Sequence, residues 1–445
     1  MVVLVKILQV ILALSLLIVI HESGHFFFAK IFGIRVDKFF LFFDAGGFKL
    51  FSTKGKFFTK LFPKAASWET EYGIGWLPLG GYCKIAGMID ESMDLEGMKG
   101  EPQKWEFRTH PAWQRLLVMS GGVLFNFIFA VLAFILLVDG WGTAYLPNEG
   151  NAIYANELSE EMGFRTGDRI LAFDDYVPED FSMLQADLAR RNVRKATVLR
   201  DGDTLDIYID QAMIGRVLQS PGMFDLAVPF AVDSVMTDSP NRDAGLLRGD
   251  RILSIDGTPT PYVQDSRPLL LAHAGGAVDA AVLRGADTLS VPLQVDSTGR
   301  IGIYMIMPEA VRKSYTFWQA VPAGASEAWE SVTGYVRDLR LVFTPRTQAY
   351  KSVGSFIAIG QVFPSNWNTY QFLYLLAILS IMLGVMNLLP IPALDGGHIV
   401  LCLYEMFTGR KPSDRFLAVT QMIGMVLLLA LMVLAFGNDI GRLMK

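Results

Sequence analysis

A His-Glu-x-x-His motif at residues 21–25 ends a long apolar run, and this feature constrains the chain more than any other. Residues 7–20 carry no charged side chain. On a helix, His21 and His25 lie one turn apart on the same face, where two imidazoles can bind one zinc ion. Glu22 between them can act as a general base. The sequence therefore predicts a zinc-hydrolase motif inside a transmembrane helix.

Three further stretches are long enough to cross a membrane. A bilayer core of roughly 30 Å requires about 20 apolar residues in a helix, and residues 116–138, 372–389 and 416–436 carry no charged side chain. With the first segment, roughly residues 3–28, they predict four spans. A cleaved signal peptide is the alternative for the first segment, but it lacks a convincing small-residue cleavage site and a histidine–glutamate pair interrupts its apolar core.

The composition indicates a membrane protein with several domains. Hydrophobic residues make up 52% of the 445 residues and charged residues 19%, which is more apolar than a typical soluble protein. The net charge of −5 argues against nucleic acid as a partner. The two cysteines, Cys83 and Cys402, lie far apart in the sequence and are interpreted as free thiols.

Lysine and arginine residues predict the orientation of the spans. Thirteen of them lie between the first two spans, and Arg410, Lys411 and Arg415 lie between the third and the fourth. By the positive-inside rule these segments face the cytoplasm, so both termini and residues 139–371 are expected outside. Spans one and three then run in the same direction, and their C-terminal ends meet on the cytoplasmic side.

The residues that end the third span complete a candidate metal site. Two prolines within residues 387–397 break the helix, and Asp395 follows at or near membrane depth, where an ionisable group is a functional candidate. His21, His25 and Asp395 would supply three protein ligands and leave a fourth position for water, as in a catalytic zinc site. For Asp395 alone, a role as a helix cap or loop residue is the ordinary alternative.

This set of residues predicts hydrolysis by a zinc-activated water. Zinc lowers the pKa of its water to about 7 and polarises a scissile carbonyl, while Glu22 takes the water proton and passes it to the leaving amine. Asn387 could hold the substrate backbone or stabilise the oxyanion, although a hydrogen bond between helices is an equal alternative. Asn126 in the second span has the same two interpretations, and the structural one is favoured.

The region between spans two and three contains an internal repeat. Residues 163–175 recur as residues 245–257, at an offset of 82 residues. Each copy has a Gly-Asp turn, an alternating apolar segment and a second turn, and strands are expected to follow at 204–209 and 288–293. The repeat predicts two tandem β-rich modules, which are either spacers without a ligand or binders of an extended peptide by strand addition.

Two connecting segments have less distinct patterns. Residues 39–84 mix glycine, aromatic and lysine residues and alternate around residues 72–85. They predict either an ordinary cytoplasmic loop or β-hairpins that dip towards the active site, where an unpaired edge could hold an extended substrate. Residues 314–342 predict one or two amphipathic helices, near the outer membrane surface or packed against the repeat modules.

These features together resemble the site-2 protease family of intramembrane zinc metalloproteases, in particular its members with two PDZ domains. The resemblance rests on the motif at 21–25, the Pro-Leu-Gly-Gly-Tyr segment at 78–82, Asn126, the repeat, and the Asn-x-x-Pro-x-Pro-x-x-Asp-Gly segment at 387–396. One departure is the Gly-Pro-x-x-Asn pattern of many relatives, which lacks its proline here after Gly122. The departure does not touch the candidate metal ligands.

The resemblance implies a polytopic α-helical membrane protein with four transmembrane helices and two small β-rich, PDZ-like domains in an extracytoplasmic insertion. It also implies a location in the bacterial inner membrane, with the PDZ pair acting as a size filter. The expected domains are an N-terminal membrane domain at 1–138 with a cytoplasmic re-entrant β loop, PDZ-like domains at 139–222 and 223–308, an amphipathic helical connector at 309–371, and a C-terminal membrane domain at 372–445.

The same resemblance implies an activity and its substrates. Members of the family cut within the transmembrane helix of single-pass membrane proteins, usually after another protease has removed the outer domain of the substrate. For this chain the resemblance implies an intramembrane zinc endopeptidase with the ligands and base named above, and with Asn387 and Pro392 in substrate binding. Anti-sigma factors and remnant signal peptides are the expected substrates.

Two functions from other classes are alternatives. A proteolytically inactive membrane scaffold could bind peptides through the repeat modules, but the presence of Glu22 with all three candidate ligands argues against it. A metal transporter is the second alternative, and four spans with a single ligand cluster beside a general base argue against that function. The choice of zinc over another divalent ion is an inference from the types of ligand.

Overall fold

The computed structural model describes residues 2–78, 80–88, 100–217, 220, 222–342, 344, 354 and 356–443. The chain divides into two compact units. Residues 1–142, 314–340 and 350–445 form the first, which we call the helical unit, and residues 143–313 and 341–349 form the second, which we call the repeat unit.

The helices of the described residues are α1 Val2–Ile31, α2 Lys56–Leu61, α3 Ala112–Trp141, α4 Glu157–Glu161, α5 Leu184–Arg190, α6 Ile214–Val217, α7 Val263–Ala272, α8 Phe317–Val342, α9 Phe356–Val362, α10 Thr369–Leu388, α11 Asp395–Thr408 and α12 Asp414–Leu443.

The strands are β1 Val36–Leu41, β2 Lys49–Ser52, β3 Glu71–Gly75, β4 Tyr82–Ile85, β5 Thr143–Tyr145, β6 Ile153–Ala155, β7 Arg169–Phe173, β8 Lys195–Arg200, β9 Asp203–Tyr208, β10 Phe224–Leu226, β11 Val232–Val235, β12 Arg251–Ile255, β13 Thr258–Pro259, β14 Ala277–Arg284, β15 Asp287–Gln294, β16 Ile303–Met305 and β17 Val311–Lys313.

Four helices of the described residues are long and apolar enough to cross a membrane, which confirms the predicted number of spans. They cover Val3–Ile31, Ala112–Trp141, Thr369–Leu388 and Arg415–Asp439. Their bounds lie within a few residues of the charge-free segments. The chain is therefore a multi-pass membrane protein.

Helix α3 lies at the centre of the helical unit, in contact with α1, α10 and α11. It runs antiparallel to α1, because Trp113 near its start contacts Phe32 just after the end of α1, with ring centroids 5.4 Å apart. It also runs antiparallel to α10, because Phe134 near its end contacts Tyr374 near the start of α10. Helices α1 and α10 are therefore parallel, in agreement with the charge pattern.

Glycine residues allow α1 and α3 to touch backbone to backbone. A Cβ atom on Gly24 would lie 2.1 Å from the carbonyl oxygen of Gly121, and a Cβ atom on Gly121 would lie 2.5 Å from the carbonyl oxygen of Gly24. Small residues at such crossings are a common way for helices to pack in membranes. Because Gly24 lies inside the His-Glu-x-x-His motif, this contact sets where the motif meets α3.

The segment between α1 and α3 forms a four-stranded sheet with the strand order β2-β3-β1-β4. Of the two alternatives, the segment forms strands instead of an ordinary loop: β2 and β3 pair antiparallel, whereas β1 pairs in parallel with β3 and antiparallel with β4. A parallel pair requires a long crossover connection instead of a tight turn. Strand β4 forms one edge of the sheet and begins against α1, since a Cβ atom on Gly81 would lie 2.4 Å from Ile18 Cγ2. Leu79 of the Pro-Leu-Gly-Gly-Tyr segment lies outside the described residues.

The amphipathic segment forms one helix, which is one of the two possibilities that the sequence left open, whereas helix α11 was not expected. The amphipathic segment forms the single helix α8, which packs against the spans: Ala328 joins a buried cluster of α3 and α10, and a Cβ atom on Gly324 would lie 2.6 Å from the Cα of Ile135. Helix α11 occupies what was expected to be a short loop between spans three and four. At 14 residues it is too short to be recognised as a span.

The repeat forms two modules with the same succession of elements, which confirms the prediction of tandem β-rich modules. Strand β7 precedes α5, β8 and β9 in the first module, and β12 precedes α7, β14 and β15 in the second. Strands β7 and β12 begin 82 residues apart and carry the same register shift against their neighbours. Each module has its own hydrophobic core.

A buried ion pair occupies the same place in both modules. Asp168 accepts two hydrogen bonds of 2.7 Å from Arg200, and Asp250 accepts bonds of 2.8 Å and 2.6 Å from Arg284. The aspartates belong to the predicted Gly-Asp turns and are buried, whereas the sequence did not single out the arginines. The hydrogen bonds from Arg284 hold the pKa of Asp250 below its ordinary value.

Replacing Arg284 by glutamine is expected to destabilise the second module by about 2 kcal/mol, because the buried Asp250 carboxylate loses its cation, while the 35% exposure of the Arg284 side chain keeps the loss below that of a fully buried pair. Since folding lowers the pKa of Asp250, this stabilisation is present at neutral pH and is lost as the pH falls through the folded-state value. Thermal unfolding of the full chain in detergent, read by limited proteolysis within the repeat unit, measures the effect.

The control is Arg248→Gln, which removes an exposed ion pair with Asp233 in the same module. This change should alter the free energy of unfolding by less than about 1 kcal/mol. Equal stability of the two variants would contradict the role given to the buried pair.

Candidate metal centre

Helix α1 turns both histidines of its motif towards α3. His21 and His25 are 8% and 5% exposed, and their Nε2 atoms lie 3.3 Å apart. Gly122 of α3 leaves room for both rings, because a Cβ atom there would lie 2.5 Å from His25 Nε2 and 2.6 Å from His21 Cε1. The spacing of the motif thus directs two imidazole nitrogens to one point.

A tight turn between α10 and α11 brings Asp395 to the same point. Two prolines follow the end of α10 and prevent the helix from continuing, and Asp395 is the first residue of α11. A Cβ atom on Gly396 would lie 2.0 Å from the carbonyl oxygen of Leu389, and Ala393 adopts a φ of +76°. A non-glycine residue in this conformation costs about 1 kcal/mol or more, and such strain is typical of functional sites.

The three donor atoms form a nearly equilateral triangle. Asp395 Oδ2 lies 3.2 Å from His21 Nε2 and 3.4 Å from His25 Nε2, and the two nitrogens are 3.3 Å apart. Tetrahedral coordination with ligand distances of about 2.0–2.1 Å places neighbouring ligand atoms about 3.3–3.4 Å apart. Among the described residues, these three could together hold a metal ion, and the triangle fits a tetrahedral ion with one position open.

A hydrogen bond on the far side of the ring orients His25. Its Nδ1 atom lies 2.9 Å from the carbonyl oxygen of Val118 in α3. A carbonyl oxygen can only accept, so Nδ1 carries the proton and Nε2 keeps its lone pair for the metal. Metal-binding histidines commonly have such a partner, which fixes the tautomer and the direction of the ring.

Asn126 lies behind the ring of His21, as Val118 lies behind the ring of His25. It is fully buried, and its Nδ2 atom lies 3.1 Å from His21 Nδ1. When His21 Nε2 binds a metal, Nδ1 carries a proton and needs an acceptor. Rotation of the Asn126 carboxamide by half a turn exchanges Nδ2 and Oδ1 and brings Oδ1 to His21 Nδ1 as the acceptor. Asn126 Oδ1 has no other hydrogen-bond partner among the described residues.

Asn126 also joins two helices, as the structural interpretation expects. Its backbone carbonyl oxygen accepts a 2.9 Å hydrogen bond from the hydroxyl group of Ser380 in α10. The same residue therefore contacts α1 through its side chain and α10 through its backbone.

Glu22 lies between the candidate ligands and the edge of the sheet. A cavity of about 740 Å³ adjoins the ligands, and Glu22, Asn387 and strand β4 contribute to its lining. Glu22 and Cys83 of β4 line the same part of the molecule around this cavity. The structure therefore places an acidic group and an edge strand beside the same open space.

The two residues predicted to bind substrate lie in different surroundings. Asn387 is in the last turn of α10, and its Nδ2 atom lies 3.2 Å from His21 Nε2. Pro392 does not belong to the lining of the main cavity formed by the described residues. Its carbonyl oxygen instead faces α12, where a Cβ atom on Gly424 would lie 1.7 Å away. The structure thus brings Asn387 to the site and packs Pro392 against α12.

Three contributors to the site were not identified from the sequence. Gly122 provides space and Val118 provides a backbone carbonyl, and neither role has a signal in residue type. Gln421 of α12 also lines the cavity, and it had a recognisable signal, because a polar side chain inside an apolar span is costly and often functional.

Sequence comparisons place the chain in a known family. The sequence model of peptidase family M50 matches residues 9–431. The chain is 28% identical to the regulator of sigma E protease of Salmonella typhi, over 97% of this chain and 98% of that protein. It is 27% identical to the regulator of sigma-E protease RseP of Escherichia coli K12, over 97% and 98%. It is 26% identical to a Neisseria meningitidis protein whose name assigns it to the zinc metalloproteases, over 98% and 99%.

Replacing Gly122 by alanine is expected to weaken zinc binding at least tenfold, because the added methyl group displaces both imidazoles from their common point. The matched control is Gly140→Ala in the same helix, where a Cβ atom would meet nothing within 4 Å. Competition with a chelator of known affinity measures the dissociation constant of each purified variant. Equal zinc affinity in the two variants would show that the space at Gly122 is not needed.

Proposed function

Because the chain belongs to peptidase family M50, the site-2 proteases, and is a zinc metalloprotease of that type, we propose that it cuts peptide bonds inside the transmembrane segments of single-pass membrane proteins. The observation that carries the proposal is the triangle of His21, His25 and Asp395 donor atoms. It is built from helices long enough to cross a membrane, and a hydrolytic site there meets substrates that are themselves in the bilayer.

Each group of the site has a role in this proposal. His21, His25 and Asp395 hold zinc, which when bound would activate a water molecule and polarise the scissile carbonyl group. Glu22 accepts the proton of the attacking water and delivers it to the nitrogen of the leaving amine. Asn387 donates from Nδ2 to the carbonyl oxygen, where negative charge develops.

The substrate has to unwind before it can be cut. The carbonyl groups of an intact helix are held in hydrogen bonds, and the side chains shield them from attack. Strand β4 and Glu22 both line the cavity, so an unwound substrate segment that enters the cavity lies in extended form beside this strand. Residues that weaken the substrate helix near the cut are therefore expected to speed cleavage.

The partners and location follow from the charge pattern and the family. We place the protein in the bacterial inner membrane, with the repeat unit on the extracytoplasmic side. The modules of the repeat unit act as PDZ-like domains that filter substrates by size or bind peptides. The names of the relatives refer to the regulation of sigma E, which supports anti-sigma factors as substrates of this chain. From the family resemblance we add remnant signal peptides as substrates, and removal of the outer domain of a substrate by another protease before cleavage.

A cleavage assay with the purified protein in detergent tests the proposal. The substrate is a single-pass membrane peptide whose outer domain has been removed, and mass spectrometry locates the cut. We expect cleavage inside the apolar segment, lost on chelation of zinc and reduced about 10²–10⁴-fold by Glu22→Gln, because the general base is removed. Glu161→Gln, in the exposed ion pair with Arg216 of the repeat unit, is the matched control and should leave the rate unchanged.

Two results would contradict the proposal. A cut outside the apolar segment would make the enzyme an ordinary endopeptidase at the membrane surface. No cut in several substrates by a protein that retains zinc would favour the inactive scaffold, whose repeat modules would then be tested for peptide binding.

A further inference from the structure

Helix α12 turns one face to the cavity beside the metal centre. Gln421, Met425, Leu428, Leu429 and Met432 of this helix line the cavity, whereas their neighbours Met422 and Ile423 are 51% and 60% exposed. Of the five lining residues, only Gln421 can make strong hydrogen bonds. We propose that Gln421 binds the backbone of the unwound substrate segment, an inference that rests on the function proposed above.

The burial of Gln421 points to a ligand. The residue is 5% exposed although it lies in a membrane span. Its carboxamide has no hydrogen-bond partner among the residues that the structure describes. Gln421 borders the cavity, where an amide without protein partners is costly unless another molecule supplies them, and polar residues inside spans mark functional positions. A partner that arrives in the cavity would remove this cost.

The position of Gln421 is held by backbone packing. One turn further along α12, Gly424 touches the carbonyl oxygen of Pro392, since a Cβ atom at Gly424 would lie 1.7 Å from that oxygen. This contact joins α12 to the turn that leads to Asp395. The carboxamide of Gln421 is therefore tied to the same short segment as one of the candidate metal ligands.

The chemistry of the α12 residues that line the cavity fits an extended peptide. When a substrate helix unwinds, its N–H and C=O groups lose their partners inside the bilayer and need new ones. A carboxamide offers both a donor and an acceptor and can pair with both kinds of group. The methionine and leucine residues beyond Gln421 offer an apolar surface, and methionine adapts to side chains of different shape. Gln421 would thus recognise the substrate backbone, and the methionine and leucine residues of α12 would accept varied apolar side chains.

The test compares Gln421→Leu with Gln421→Asn and with Met422→Leu, a conservative change at an exposed neighbour. The probe is the trimmed single-pass membrane peptide, labelled with a fluorophore, in detergent. Its dissociation constant is measured by anisotropy in the Glu22→Gln background, and KM and kcat are measured with Glu22 present. Zinc content is measured in every variant.

We expect Gln421→Leu to weaken binding and raise KM about fivefold to thirtyfold, with little change in kcat and full zinc content, because the lost contact serves the bound substrate. Gln421→Asn should give an intermediate loss because its amide is shorter by one methylene, and Met422→Leu should behave like the parent protein. If Gln421→Leu does not fold, the Gln421→Asn variant decides the question.

Two results would overturn the inference. Unchanged binding and KM in both Gln421 variants would show that the amide does not contact substrate. Loss of zinc in those variants would make Gln421 a support of the metal site instead. Failure of the parent protein to cleave any substrate would count against the proposed function, whereas cleavage with normal binding by the Gln421 variants would count against this inference alone.

Discussion

The close contact between α1 and α3 is the constraint on which the rest of the site depends. Gly24 and Gly121 touch through their backbones, and this contact places the His-Glu-x-x-His motif against the stretch of α3 that contains Gly122. Gly122 then leaves space for the two rings, and Val118 and Asn126 lie behind them. A larger side chain at the crossing would separate the helices and move the imidazoles away from Asp395.

Several polar groups inside the spans lie around one point, the candidate metal site. In a bilayer a polar side chain has no water to pair with, so it needs a partner within the protein. His25 pairs with a carbonyl group of α3, Asn126 with His21, and Asn387 lies against the same ring. Gln421 is the member of this group that has no partner among the described residues, which is why its burial is informative.

Much of the candidate site could be predicted from the sequence, because its candidate ligands are recognisable by residue type and spacing. An i, i+4 pair of histidines on an apolar helix and an aspartate after a proline-broken span are costly unless they bind something. The repeat was equally visible, since its Gly-Asp turns recur at a constant offset. The spans followed from hydropathy, and their relative directions followed from the positions of lysine and arginine.

The remaining features depend on distant contacts that leave no local pattern. The parallel pairing of β1 with β3 joins segments separated by residues 42–70, and a local alternation of residue types does not reveal such a pairing. Helix α11 is amphipathic and short, and it is stabilised by packing against α3, a contact that its own sequence does not reveal. The role of Gly122 is visible only when two helices are placed side by side, and the arginines of the repeat unit only when the strands are paired.

X-ray absorption at the zinc edge of the purified protein tests the central claim most directly. If the triangle of His21, His25 and Asp395 holds the ion, the spectrum should show four nitrogen or oxygen ligands at about 2.0–2.1 Å, including two imidazoles. The His25→Ala variant should show one imidazole fewer. A six-coordinate shell, a sulfur ligand, or a spectrum that does not change in His25→Ala would contradict the account.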